Sequence, residues 1–278
     1  MRIAIQGEPG SFSHQATLAM LPGATIEPCA LSADVFHALT GGAVDAAVIP
    51  IENSLAGSVL EHFDLLLQHD VKVVRESLLH IRHNLIALPG TMLDDIERIY
   101  SHPVALAQCR RFLADHPDIH SLPFYDTAGS VKHIVESNEC HSAAIASEAA
   151  AHYYGAKILR EGIEDNSENY TRFFLVLRSS DADRDADSDS RANKISLAFS
   201  VENRPGSLVA ALNQLSAMGT NLTKIESRPV HGTPWEYVFY VDCQLHSLDE
   251  GSRAIEALKP HCAMVKELGR YREAVSRD

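Results

Sequence analysis

Cysteine is scarce in this chain and unpaired. Cys29, Cys109, Cys140, Cys243 and Cys262 are odd in number, and no two of them form a CxxC pair. That pattern argues against a disulfide framework or a thiolate zinc site and fits free thiols in a reducing cytoplasm. Positive charge is short as well. Against 37 Asp and Glu stand 24 Lys and Arg, a net charge of -13, so no basic face for a nucleic acid is expected. No apolar run approaches the ~18 residues of a membrane span. MRIAIQG goes straight into a strand pattern and reads as having no signal peptide. The first glycine turn, Gly7-Glu8-Pro9-Gly10, is not followed by the Gly-Lys-Ser/Thr of a Walker loop. Histidine is plentiful, with 15 residues, but His80/His83 and His116/His120 each lack a third ligand in a fitting motif. No metal or cofactor is expected.

What is present is ordinary globular composition, 45% apolar and 22% charged, over 278 residues. That length suits two domains better than one. Ile3–Ile5 reads as a short buried strand. A helix follows from about Phe12 to Met20, with Ser11 or Ser13 as its cap. This order, strand to glycine turn to helix, sets free backbone N–H groups at a helix start, where anions bind. The pattern returns at residues 45–51, a buried strand running into Glu52-Asn53-Ser54-Leu55-Ala56-Gly57-Ser58 and a helix over 59–67. Here Asn53, Ser54 and Ser58 add side-chain donors. It appears a third time as a strand over 119–125, the turn Asp126-Thr127-Ala128-Gly129-Ser130 and a helix over 131–136. Residues 71–74 and 80–88 look like extended segments crossing between lobes. About ten strand–helix alternations before residue 178 predict an α/β protein with a mostly parallel sheet, split into two lobes around a cleft.

The segment IEDNSENYTRFFLV, residues 163–176, joins a polar turn to an apolar run long enough for a strand buried on both faces. Ser179–Ala192 carries no apolar residue larger than alanine and reads as a flexible acidic linker. The domains are therefore expected over residues 1–178 and 193–278, with the linker over 179–192. In the second, the order βαββαβ is the ferredoxin-like arrangement.

The phrase NYTRF resembles the TRF signature of prephenate dehydratases. Other phrases resemble that family in order: GEPGSFSHQA, Ile51-Glu52-Asn53-Ser54 through Gly57-Ser58, Ser101-His102-Pro103 to Gln108-Cys109, Asp126-Thr127-Ala128-Gly129, and Ala143–Ser147. The second domain resembles an ACT domain through RPGSLV (204–209), NLTKIESRP (221–229) and WEYVFYVD (235–242). The resemblance implies a two-lobed, periplasmic-binding-protein-like catalytic domain and a ferredoxin-like ACT domain. It implies conversion of prephenate to phenylpyruvate without a cofactor, under control by L-phenylalanine. With no chorismate mutase segment before the first motif, the chain looks like the monofunctional form.

By the same resemblance, Thr171 acts at the leaving hydroxyl. Asn53, Ser54 and Ser58 would cradle carboxylates, with Gln108 and Thr127 from the facing lobe. Arg172 suits a bidentate carboxylate pair, but strand alternation turns it away from Thr171. That favours Thr171 inward with Phe173 beside it, and Arg172 as a scaffold ion pair with Glu168 or Asp165. Phenylalanine would sit between ACT domains near Gly206, Ser207 (where the family has Ala), Leu208, Val209, Asn221 and Leu222, with Glu226, Ser227, Arg228 and Pro229 on the adjoining strand. A homodimer is expected, and a tetramer is compatible. Three readings stay open beside this one: arogenate dehydratase, a non-catalytic solute-binding protein and an amino-acid sensor.

Overall fold

The structure, a computed structural model, describes residues 1–182, 192–230, 233 and 235–274. It contains three sheets. The first lobe holds β1 (Arg2–Gln6), α1 (Phe12–Met20), β2 (Thr25–Cys29), α2 (Ser32–Thr40), β3 (Ala46–Asn53), β4 (Gly57–Ser58), α3 (Leu60–Gln68) and β5 (Val71–His80). The second holds β6 (Asn84–Ala87), β7 (Arg98–Ser101), α4 (Pro103–Gln108), α5 (Arg110–Ala114), β8 (His120–Pro123), α6 (Thr127–Glu136), β9 (Ser142–Ala146), α7 (Glu148–Tyr154) and β10 (Lys157–Arg160). The chain then returns to the first lobe as β11 (Tyr170–Arg178), inserted between β3 and β5.

Alternation along the first sheet sorts its core. Ile3, Ile5, Val48, Phe173 and Leu175 pack with Ala16 and Met20 of α1. Ala4, Ala47, Ile49, Phe174 and Val176 face the other way, onto Phe36 and Leu39 of α2 and Phe63 and Leu66 of α3. Both faces are covered, which is why this strand run is apolar without a break. The second sheet, ordered β10-β6-β9-β7-β8, is covered likewise by α4 and α5 on one face and α6 and α7 on the other.

The sheets are mixed, not mostly parallel as expected. β1 runs parallel to β2 and β3, but β11 is antiparallel to both β3 and β5, and β6 is antiparallel to β9 and β10. The cause is the double crossing: a strand re-entering from the other lobe need not follow the helical crossover that makes parallel pairs. Residues 71–80 form one long strand, so the outward crossing is confined to residues 81–83. The two crossings pair with each other through Ile81 N–H to Asn169 O at 2.7 Å and Ile163 N–H to His83 O at 2.9 Å.

The expected linker begins as a short helix, α8 (Ser179–Ala182), whose first N–H is held by Asp70 O at 3.2 Å; residues 183–191 lie outside the described residues. The third unit follows as β12 (Lys194–Ser200), α9 (Ser207–Ala217), β13 (Leu222–Pro229), β14 (Tyr237–Gln244), α10 (Leu248–Leu258) and β15 (Met264–Tyr271). Its sheet order is β13-β14-β12-β15, the ferredoxin-like arrangement. The expected hairpin turn over 231–234 falls mostly outside the described residues. One face of this sheet carries Ala211 and Leu215 of α9 with Ala254 and Leu258 of α10. The other lies on the first lobe, where Ala198, Val238, Tyr240 and Tyr271 join the Phe36–Phe63 core. Gly269 permits this: a Cβ there would collide with the Val73 backbone of β5.

Candidate active site

A cleft of about 650 Å³ lies between the first two lobes. The first lobe contributes Gly7, Glu8, Ser11, Phe12, Ser13, Cys29, Thr171 and Phe173, and the second His102, Tyr125, Asp126, Thr127 and Lys132. Helices α1 and α6 both start here. Ser11 caps α1, its Oγ accepting from His14 N–H at 3.3 Å, and Asp126 caps α6, its Oδ1 accepting from Gly129 N–H at 2.6 Å. Ser13 lies inside α1, buried, and is not a cap. Two helix N-termini from opposite lobes turn backbone N–H groups toward the cleft, and the carboxyl groups of Glu8 and Asp126 line it beside them.

Thr171 and Phe173 line the cleft from one face of β11, as alternation requires. Arg172 points the other way. Its Nε donates to Glu76 at 2.6 Å, Nη1 to Asp242 at 2.6 Å and Nη2 to the Tyr271 hydroxyl at 3.0 Å, all buried. The expected partners Glu168 and Asp165 are not used. Asp165 instead accepts the backbone N–H groups of Arg110 and Arg111. Arg172 therefore binds the third sheet to the first lobe and lines no part of the cleft. Lys194 adds a bond to Glu76 at 3.1 Å, and Ser196 bonds both Asp242 and Tyr271.

Behind Thr171 lies a network of amides at the lobe crossing. Asn53 is its cross-strand neighbour on β3. Asn53 Oδ1 accepts the backbone N–H groups of Leu55 and Ala56 at 3.0 and 2.8 Å, so Nδ2 must point the other way. It donates to Thr171 Oγ1 at 2.9 Å and to Asn169 Oδ1 at 2.7 Å. Asn169 Nδ2 then donates to Gln108 Oε1 at 3.1 Å, which also receives His83 Nε2–H at 2.8 Å. Burial lowers the His83 pKa below its usual 6.5, which keeps the ring neutral. Because Thr171 Oγ1 is an acceptor toward Asn53, its own proton is free to point into the cleft.

Several expected cradle residues are therefore elsewhere. Asn53 and Gln108 sit behind Thr171, off the cleft wall. Ser54 is bound to the start of β11, accepting Tyr170 N–H at 3.0 Å and donating to Glu168 O at 3.2 Å. Ser58 faces the third sheet, donating to Glu226 at 2.7 Å and accepting from Lys224 Nζ at 2.8 Å. Thr127 does line the cleft. Glu8, His102, Tyr125, Asp126 and Lys132 were not expected there, although the first glycine turn holds Glu8 and the Asp126–Ser130 turn holds Asp126; His102 caps α4 and Lys132 lies within α6. Burial raises the Asp126 carboxyl and lowers the His102 imidazole. It also raises the Cys29 thiol, with Asp34 and Glu27 adding to the effect.

The residues expected to bind an effector divide into separate places. Gly206, left-handed at φ 83°, Ser207, Leu208 and exposed Val209 open α9, while Asn221 and Leu222 follow its far end. The 11 residues of α9 span roughly 16 Å at 1.5 Å each, so one small ligand cannot touch both ends within one chain. Glu226 and Arg228 turn to the first lobe, onto Ser58 and Asp64 (2.6 Å). Ser227 and Pro229 turn to solvent.

Residues 3–181 match a family model described as prephenate dehydratase. The chain belongs to the prephenate dehydratase family. An arogenate dehydratase/prephenate dehydratase of Arabidopsis thaliana is 37% identical over 281 residues, 98% of this chain and 72% of that protein. The prephenate dehydratase of Arthrobacter aurescens, solved in complex with L-Phe, superposes with a TM-score of 0.86 at 31% identity, over 98% of this chain and 90% of that one. A structure described as GqqA, a novel type of quorum quenching acylases, matches with a TM-score of 0.86 at 33% identity over 98% of both chains. Among the described residues no helix is long and apolar enough to cross a membrane, and no cluster of three His, Cys, Asp or Glu is placed to hold a metal.

Proposed function

We propose that the chain converts prephenate to phenylpyruvate, carbon dioxide and water. The bond from the ring to its carboxylate breaks, its electron pair enters the ring, and hydroxide leaves from the opposite carbon and takes up a proton. Aromatisation supplies the drive, so no cofactor is needed. What the protein must add is a donor at the leaving oxygen and fixed donors for two carboxylates.

The observation that carries this reading is the hydrogen bond from the Asn53 amide to Thr171 Oγ1 in the cleft wall. Asn53 takes the acceptor side of Oγ1, which leaves the hydroxyl free to donate toward the cleft that Thr171 lines. Thr171 serves the leaving hydroxyl, Phe173 packs on the ring, and Thr127 with the starts of α1 and α6 receives carboxylates. An acylase would need an activated nucleophile, and the Cys29 thiol in the cleft is pushed up by burial, away from the thiolate.

The third unit acts as an ACT domain that binds L-phenylalanine between two copies. Support comes from the two half-sites at opposite ends of α9, which a side-by-side pair would bring together. A homodimer is the smallest assembly that completes them, and a tetramer is compatible. The five cysteines are all free thiols, in keeping with a cytoplasmic protein.

The test is incubation of the pure protein with prephenate and, in parallel, arogenate, with and without L-phenylalanine. Phenylpyruvate from prephenate, slowed by phenylalanine, is the expected result; faster phenylalanine formation from arogenate would move the chain to the arogenate dehydratases. Thr171→Ser should keep much of the activity and Thr171→Val lose about 10²–10⁴-fold. Equal activity in both would remove Thr171 from the mechanism.

A further inference from the structure

Glu8 brings one of the chain's own carboxylates into the cleft. Its Oε1 accepts from the Tyr125 hydroxyl at 3.0 Å and its Oε2 from Lys132 Nζ at 3.1 Å. Glu8 belongs to the first lobe and its two donors to the second, and all three side chains line the cleft. A phenol and an ammonium converging on two carboxylate oxygens make a carboxylate site in chemical terms. Among the described residues that line the cleft, Lys132 is the sole lysine or arginine. A dianionic substrate therefore finds one ammonium there, already engaged by a protein carboxylate.

We propose that Tyr125 and Lys132 are a carboxylate subsite of the cleft, which Glu8 fills as an internal stand-in until a substrate carboxylate displaces it. That the incoming carboxylate is prephenate's rests on the dehydratase reading; that it is a carboxylate follows from the donors. The exchange needs only a side-chain movement. The backbone of the turn bearing Glu8 is held by Gly7 N–H on Cys29 O at 3.0 Å. Ser147 Oγ holds Gly10 O in the same turn at 2.6 Å. The displaced side chain, already 20% exposed, swings to water.

The subsite predicts opposite signs for its two sides. In the full-length chain, Glu8→Gln removes a competing anion and should tighten phenylpyruvate binding, measured by calorimetry, and lower KM for prephenate by several-fold. Lys132→Met should weaken both by about tenfold, the scale of one charged hydrogen bond at a partly exposed site. In the double variant the gain from Glu8→Gln should vanish. A simple latch between lobes predicts the reverse for Glu8→Gln, since loosening the closed cleft would weaken binding. Weaker binding by Glu8→Gln, or unchanged binding by Lys132→Met, overturns the proposal. If the unaltered protein fails to turn over prephenate while phenylpyruvate binding shifts as stated, the subsite stands and the dehydratase reading falls. Turnover with KM and binding unmoved in every variant does the opposite.

Discussion

Asn53 gives its amide hydrogen to the Thr171 hydroxyl at 2.9 Å, while the backbone N–H groups of Leu55 and Ala56 hold its own carbonyl. One amide thus occupies the acceptor side of a neighbouring hydroxyl. Asn53→Asp has the same shape but places a carboxylate oxygen where Nδ2 stood. The Thr171 proton should then turn back onto Asp and leave the cleft. The expected result is a fall in kcat approaching that of Thr171→Val, about 10²-fold or more, with folding retained. Activity within twofold of the unaltered chain would remove this role from Asn53.

Arg172 is expected to show in stability. Arg172→Met leaves Glu76 and Asp242 buried without their guanidinium, and breaking a buried pair this way costs about 3–5 kcal/mol. Urea unfolding should register that loss. A loss below about 1 kcal/mol would mean that Lys194 on Glu76 and Ser196 on Asp242 satisfy the two carboxylates.

A substitution at Gly10 separates a lobe contact from backbone strain. Gly10 has φ +87°, and a Cβ would lie 2.7 Å from Ala150 Cα in α7, which cannot yield. Gly23 has φ +82° with nothing within 4 Å of its Cβ position. Gly23→Ala should cost the left-handed backbone penalty alone, roughly 1–2 kcal/mol. Gly10→Ala should cost more and raise KM, because it pushes the turn bearing Glu8 off the second lobe. Equal costs and an unchanged KM would mean that this contact does not hold the cleft closed.

Two buried histidines set an acid limit on the fold. Burial lowers the pKa of both His62 and His83 from 6.5, so below that pH the unfolded chain binds protons that the native chain refuses. Stability should therefore hold above about pH 7 and fall as the pH drops toward 5, by at most about 1.4 kcal/mol per pH unit for each group. His83→Gln keeps a donor for Gln108 and should flatten that decline. An identical slope in the variant would place the proton uptake elsewhere.

Much of this was legible in the chain because it is local. The α1 helix falls at Phe12–Met20 as expected, since a serine cap and a glycine turn act within one turn of helix. Opposite facings of Thr171 and Arg172 follow from the two-residue repeat of a strand. Arg172's partners do not follow, because Glu76 and Asp242 lie 96 and 70 residues away and only the packing of the third sheet brings them close. Ser58 was misread for the same reason. A hydroxyl at a helix start looks alike whether it meets a ligand or, as here, Glu226 and Lys224. Strand direction was misread too, since apolar alternation is the same whichever way a strand runs.

The third sheet is not a detachable accessory. Lys224 reaches Glu52 at 2.8 Å, one residue from Asn53, and Asp242 and Tyr271 hold the arginine next to Thr171. A chain shortened to its first two lobes would uncover the apolar patch beneath Tyr240 and strip Arg172 of Asp242 and Tyr271. Deletion would thus damage the foundation of the strand that carries Thr171. On the proposal that the third unit binds L-phenylalanine, an insensitive form is better sought by substitution at the start of α9, where Val209 stands in solvent.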